Sequence, residues 1–286
     1  MSKNLKVLAK AWACIAGILL ASPAFAEWQL NMRPGVTELS KLAYHLHMEI
    51  LWICVAIAFV VFGAMIYSII KFRHSKGAVA DTTLLHSTKV EVIWTVIPII
   101  ILVAMAVPAA KGLIKDEDMT SSDMTIKVTG YQWKWEYDYL DQKVDFFSTL
   151  ARDSNAARIK ESGIDPYTVP NYLLDVDHPL VVPVHKKVRL LLTAGDVIHA
   201  WWVPALGMKK DAIPGYINEL WFRADEEGTF RGQCAELCGR DHGFMPIVVI
   251  VKSQADYDAW LNEQHAPPAE AAPSDAAAAS PPAAAT

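Results

Sequence analysis

The sequence predicts a two-helix transmembrane hairpin followed by an all-β domain of the sandwich or Greek-key type. Three observations carry that expectation. Two apolar runs, residues 50–70 and 92–110, are interrupted by little beyond Gly63, Ser68, Pro98 and Pro108. At about 1.5 Å per residue each reaches about 28–32 Å, the thickness of a bilayer's hydrocarbon core. Between residues 124 and 262 short strand-like runs recur, at 125–139, 180–183, 188–193, 219–223 and 247–251, with turn residues between them. There is no β-α-β alternation and no G-x-G-x-x-G or phosphate-loop pattern, which removes the nucleotide-binding α/β classes.

Taken in order, residues 1–26 read as a secretory signal. Lys3, Lys6 and Lys10 supply the basic start, residues 11–20 the apolar core, and Ala24-Phe25-Ala26 a small-x-small cleavage site. The apolar core is shorter than the roughly 20 residues a span needs, which argues against an uncleaved anchor. The mature chain then starts at Glu27, and Cys14 leaves with the signal.

Residues 27–111 hold an N-terminal segment and the hairpin. In both spans apolar residues lie all round the helix and form no single stripe, the pattern of a lipid-facing helix. The loop between them carries Lys71, Arg73, Lys76 and Lys89 against Asp81 and Glu91. Its positive excess assigns it to the cytoplasmic side. A cleaved signal gives the same N-out, C-out hairpin by an independent route.

The exported region, residues 112–264, has 16 Lys and Arg against 24 Asp and Glu, a net charge near −8, while the whole chain carries only −5. An acidic face suits a basic protein partner, serves solubility equally well, and does not suit a nucleic acid. Within it, residues 141–171 read as an inserted loop or short helix and 256–264 as a closing helix. Residues 265–286, rich in Ala, Pro and Ser, form a tail that cannot bury a core.

The chemistry is concentrated in Cys234-Ala-Glu-Leu-Cys238-Gly-Arg-Asp-His242-Gly-Phe-Met245, with His199 upstream. Two thiolates, two imidazoles and a thioether make a soft donor set that favours copper. Other uses of these residues stay open on spacing alone. Cys234 and Cys238 are candidates for a disulfide in an oxidising compartment. His199, Cys234, Cys238 and His242 suit a zinc site that gives Met245 no role. A mononuclear blue-copper site leaves one thiolate idle, whereas two ions bridged by both sulfurs use every donor.

With those residues in place, the chain resembles subunit II of bacterial haem-copper cytochrome c oxidases over nearly all of residues 27–264. The resemblance implies a cupredoxin-like domain with His199, Cys234, Cys238, His242, Met245 and the main-chain oxygen of Glu236 as ligands of a dinuclear copper centre, two Cu per chain (CuA). It implies that the Glu236 carboxylate faces a magnesium ion shared with the catalytic subunit. Trp133, in the aromatic run 130–139, matches the residue that receives electrons from cytochrome c. Glu91 matches the glutamate at the mouth of a proton-conducting path. The implied partners are the haem-copper catalytic subunit I, which reduces oxygen with proton translocation, and subunit III. The implied location is a bacterial inner membrane, with the copper domain in the periplasm. A quinol oxidase subunit would lack these ligands, and a copper-delivery module would need no aromatic strand.

Asp196, Asp211, Asp138 and Glu219 are candidates for a docking rim around Trp133, since clustered negative charge steers a basic haem protein. Gly195 stands where some relatives carry an acid. Trp135, Trp201 and Trp202 are expected in packing. The remaining histidines have no metal-ligand spacing, and without a C-x-x-C-H motif no haem is covalently attached.

Overall fold

The computed structural model describes residues 31–79, 82–83 and 86–266. The expected signal, with its cleavage site and Cys14, and the tail beyond Ala266 lie outside the described residues. Residues up to Arg33 form one unit, of which only 31–33 are described, and the chain from Pro34 onward forms a second.

Two long helices open this second unit, α1 (Glu38–Lys71) and α2 (Thr88–Asp116). Both are long and apolar enough to cross a membrane. Large apolar side chains such as Trp52, Phe59, Val60, Trp94 and Leu102 are exposed along them. At 34 and 29 residues they extend well past the expected spans. Flanking polar residues prolong the helices because capping and ion pairing compensate for leaving the apolar run. Thr37 and Ser40 form a reciprocal capping box at the start of α1. Glu38 meets Lys115 of α2 and Arg223 of the β-domain. The first boundary residue expected for the exported domain, Gly112, is therefore still helical.

The same end of the hairpin is sewn to the domain. Thr37 bridges to Ala224, its hydroxyl donates to the Leu206 carbonyl at 2.8 Å, and the Trp221 indole donates to the Lys115 carbonyl. Helix end and β-domain thus share hydrogen bonds, with Thr37 and Ser40 buried.

Ten strands follow: β1 (Met124–Tyr131), β2 (Lys134–Tyr139), β3 (Val144–Ser148), β4 (Leu180–Pro183), β5 (Val188–Ala194), β6 (His199–Val203), β7 (Met208–Ala212), β8 (Asn218–Phe222), β9 (Gly228–Cys234) and β10 (Pro246–Lys252). They form two five-stranded sheets, β3-β2-β1-β5-β8 and β4-β10-β9-β6-β7. The β1–β5 and β4–β10 pairs are parallel and the others antiparallel. A short helix α3 (Arg152–Ala157) lies in the insertion, and α4 (Gln254–His265) closes the domain.

Alternation on β2 and β5, and near-continuous burial on β4, β6 and β10, make the core. On β2 every second residue, Trp135, Tyr137 and Tyr139, points inward, and Ile126 and Val128 of β1 and Leu190 and Leu192 of β5 do the same. The other sheet answers with Val182, Trp201, Val203, Ile247, Val249 and Val251. The all-β sandwich behind two apolar helices is the expected class.

Details differ from the expected runs. Residues 125–139 are two antiparallel strands joined at Gln132–Trp133, a cis peptide bond. Strands β3, β6, β7 and β9 were absent from the expected set. The insertion 141–171 contains β3, α3 and a 3₁₀ turn at Pro166–Thr168. Helix α4 runs one residue into the expected tail, where His265 bonds to the Gln142 carbonyl.

Candidate metal centre

Two strands of one sheet bring the donors together. β6 begins with His199 and β9 ends with Cys234, and the two strands pair at Trp201 and Cys234. The Cys234 N–H then donates to the Met245 carbonyl at 3.0 Å, which closes the loop 234–245 at its mouth before β10 departs. Inside the loop Gly239 takes φ +119°, and a Cβ there would lie 2.8 Å from the Gln132 amide and 3.3 Å from the Trp133 ring. Glycine is needed on both counts. A 3₁₀ turn, His242–Phe244, carries the second histidine.

The donors are largely dry. His199, Cys234, Cys238 and Met245 are buried, and His242 is half-buried. The two thiols are free, with their sulfurs 3.8 Å apart. Cys234 Sγ lies 3.9 Å from His199 Nδ1, and Cys238 Sγ lies 3.5 Å from His242 Nδ1. Each histidine therefore faces a different sulfur. Cys234 Sγ also lies 3.4 Å from the Glu236 carbonyl oxygen, while the Glu236 carboxylate side is exposed. Among the described residues, His199, Cys234 and Cys238 form the group whose donor atoms all fall within 4.8 Å of one another.

Burial and proximity set the charges. Burial opposes ionisation of Cys234, but hydrogen bonds from His199 and from the Ala200 and Glu236 backbone outweigh it and bring the thiol down to about 7. Burial and then the neighbouring Cys234 charge push the Cys238 thiol up to about 12. Without a cation, two adjacent sulfurs hold one negative charge more readily than two. Burial lowers the basicity of His199, yet its bonds to Cys234 and Asp196 raise it overall.

Asp196 lies beside Trp133, as expected, but its carboxylate is also engaged with the metal centre. Its carboxylate accepts from His199 at 2.9 Å and from the backbone N–H groups of Gln132 and Val197 at 2.7 and 2.6 Å. It orients a donor imidazole. Glu219 is likewise occupied, in a two-point pair with Arg189 on β5. Asp138 stays on the outer face of β2 beside Asp145 and Lys127, and Asp211 stands on the edge strand β7 opposite Ala200.

Trp133 sits at the turn between β1 and β2, half-buried, with its ring against Gly239 and its indole N–H without a protein partner. Its neighbour Gln132 donates to the Cys238 carbonyl at 2.8 Å. Glu91 lies in the first turn of α2, among none of these residues.

Residues that sequence reasoning passed over also shape the centre. Gly130 leaves room for His199, since a Cβ there would be 2.8 Å from the imidazole. Trp135 meets the same ring edge-on at 5.9 Å. Arg158 of the insertion reaches Asp241 and the Phe244 ring. The D-x-x-H spacing of Asp196 and His199 was the one available signal, an acid set to hold a ligand histidine.

Residues 25–111 match the family model described as cytochrome c oxidase subunit II, transmembrane domain, and residues 124–252 match that of the periplasmic domain. A probable cytochrome c oxidase subunit 2 of Rickettsia felis is 41% identical over 267 residues, covering 90% of this chain and 81% of the relative. The cytochrome c oxidase subunit 2 of Cereibacter sphaeroides is 37% identical over 268 residues, with 87% and 88% covered. A crystal structure of the periplasmic domain of subunit II of cytochrome oxidase from Bradyrhizobium japonicum is 44% identical, covers 50% of this chain and 94% of that one, and gives a TM-score of 0.43. Two family models that together span most of the chain, and relatives matched over most of their length, place it in the cytochrome c oxidase subunit II family, as a subunit of an oxidoreductase complex.

Proposed function

We propose that this chain is the electron-accepting subunit of its oxidase, taking electrons from cytochrome c and passing them to a haem-copper catalytic subunit through a dinuclear copper centre. The observation that carries this is the pairing of each histidine with a different sulfur across a 3.8 Å gap between the sulfurs. Taking the bond lengths of the neighbouring first-row ion zinc, about 2.3 Å to sulfur and about 2.0 Å to imidazole, one ion can join donors up to about 4.3–4.6 Å apart. The sulfur–sulfur and both sulfur–nitrogen distances fall inside that limit, so the residues fit a bridged pair.

Cys234 and Cys238 would bridge, His199 and His242 would each take one side, and Met245 with the Glu236 carbonyl would complete the set. Bound there, a copper pair supplies a one-electron relay. The chain's own part is to hold the donors in one geometry, to exclude water by burying four of them, and to fix His199 through Asp196. With every donor used, no position would be left for a substrate, which is the arrangement of a relay and not of a catalytic metal site. Trp133 is the point of electron acceptance, two steps from Cys238 through Gln132. The exposed carboxylate of Glu236 is the ligand offered to a magnesium ion at the border with subunit I.

The topology follows from charge. Residues 1–26 are the signal, the basic loop after Lys71 is cytoplasmic, and the copper domain, residues 112–264, stands in the periplasm of a bacterial inner membrane. Glu91 then lies at the cytoplasmic end of α2, where it opens a proton path into subunit I; subunit III completes the complex. Copper and zinc analysis of the purified full chain tests the reading. Two coppers per chain are expected, and one copper or one zinc would overturn it.

A further inference from the structure

The insertion does more than connect β3 to β4. Its two ends are tied to each other, since Leu150 bridges to Val176 and Thr149 bonds twice to Asp177 at 2.7 Å, while Asp175 pairs with Arg231 of β9 and Ser154 and Ala157 of α3 are buried. Its tip presents Arg158, which follows the last residue of α3 and is held by Asn155, whose side chain accepts from Arg158 Nε at 2.7 Å.

The guanidinium of Arg158 has two partners on the metal loop. Nη1 lies 3.5 Å from Asp241 Oδ1, and the group stands 4.5 Å from the centre of the Phe244 ring. Asp241 immediately precedes His242 and Phe244 immediately precedes Met245. One cation therefore grips the 3₁₀ turn at both ends, each time one residue before a donor. The contact is sheltered, with the side chains of Arg158 and Asp241 29% and 14% exposed. Arg240 also touches Asp241, but from solvent, at 82% exposure. Beside the grip a cavity of about 200 Å³ is lined by Trp133, Thr149, Leu150, Asn155 and the three gripping residues. Packing on that side of the turn is incomplete, and Arg158 is the insertion side chain that reaches across to it. A planar guanidinium can meet the carboxylate with its N–H edge while lying against the aromatic face, a fit that a lysine ammonium reproduces only in part.

We infer that Arg158 is a positioning residue for the His242 half of the copper centre, setting the turn that carries His242 and leads into Met245 while leaving the His199 half alone. The inference rests on the dinuclear reading above. In that reading the insertion is a brace reaching over the metal loop, and its sequence tunes one side of the centre.

The test uses the full chain carrying Arg158→Met, with Arg158→Lys as the conservative variant. The first readout is amide hydrogen exchange in the metal-free protein, at the Phe244 N–H that donates to the Asp241 carbonyl and at residues 199–203. The second is the paramagnetically shifted imidazole resonances after copper loading, with copper loss to a chelator. In Arg158→Met, exchange at Phe244 should accelerate about tenfold while β6 is unchanged, and copper loss should quicken by about 10-fold, at the low end for residues that orient ligands. The His242 resonances should move and those of His199 should not. Arg158→Lys should show the same changes to a smaller degree. Unmoved exchange at Phe244, or equal shifts of both histidines, would overturn the inference while leaving the copper reading intact. A wild-type chain without the copper pair would overturn the copper reading itself, and that is read before any variant.

Discussion

The two histidines of the centre are held by different kinds of structure. His199 belongs to a sheet. It is fully buried, its Nε2 is fixed by Asp196, and its ring is confined by Gly130 behind and Trp135 at the edge. His242 belongs to a three-residue turn, is half-buried, and is flanked by Asp241 and Phe244, which Arg158 of the insertion touches. A sheet ladder supplies rigid support at every residue, whereas a turn must be held by its ends. The centre is therefore symmetric in its donors and asymmetric in its supports.

The largest expected effect comes from the residues the two halves share. Cys238→Ser replaces a thiol proposed to bridge the copper pair by a hydroxyl that stays protonated and binds soft metals poorly. Both halves should fail together: metal analysis should find fewer than two coppers per chain, and the shifted signals of both histidines should disappear. A variant that keeps His199's copper and its resonance unchanged would mean the halves are independent sites.

Gly130→Ala should strike the sheet-held half. The new methyl would lie 2.8 and 2.9 Å from His199 ring carbons, in a place with no flexible neighbour to yield. Overpacking of this kind costs about 1–3 kcal/mol, or a few degrees of Tm per kcal/mol in a domain of this size. Thermal unfolding of the metal-free chain should show it, with His199 perturbed before His242. An unchanged Tm would show that the imidazole has room to move and that the sheet does not confine it.

Asp196→Asn is milder, because the amide keeps the shape and part of the hydrogen bonding. Burial alone would raise the Asp196 carboxyl, but the bonds from His199, Gln132 and Val197 hold it below its ordinary 3.8. A depressed carboxyl stabilises the fold fully above its unfolded value, and that contribution is lost as pH falls through the native one. Melting curves of wild type and Asp196→Asn should therefore differ at neutral pH and converge under acid. Copper should leave the variant about 10- to 100-fold more readily, first from the His199 side. Parallel curves down to low pH would remove Asp196 from the support of His199.

The same asymmetry governs how much of the molecule was legible in its sequence. The spans and the cluster from Cys234 to Met245 are local patterns, and they stood out without any structure. Strand β6 did not, because four of its five residues are buried and no alternation marks it. The turn at Gln132–Trp133 has none of the Gly, Asn, Asp or Pro that announces a hairpin, so β1 and β2 read as one run. Asp196 has the composition of a docking acid, and only the fold turns it toward His199. Arg158 and Asp241 are 83 positions apart in the chain; nothing in either neighbourhood pairs them. Donors declare themselves by type and spacing, but supports are defined by tertiary contact.

The smallest effect sharpens the comparison from the side of the turn. Arg240 and Arg158 address the same carboxylate, Arg240 at 3.3 Å and Arg158 at 3.5 Å, so distance alone would rank Arg240 first. Exposure reverses the order. At 82% exposure Arg240 is screened by water and salt, and its guanidinium sits 5.5 Å from the Trp133 ring centre. An exposed ion pair contributes about 0–1 kcal/mol, and an exposed cation–π contact about 0.5–1 kcal/mol. Arg240→Gln should then lower stability by no more than about 2 kcal/mol, the two upper limits together, with a difference from wild type that shrinks further in high salt. Copper should leave this variant within about twofold of the wild-type rate, since a twofold change corresponds to about 0.4 kcal/mol. If Arg240→Gln instead released copper from the His242 side as fast as Arg158→Met, Asp241 would be restrained as firmly from solvent as from the insertion. The turn would then owe its position to its own charges and not to a brace.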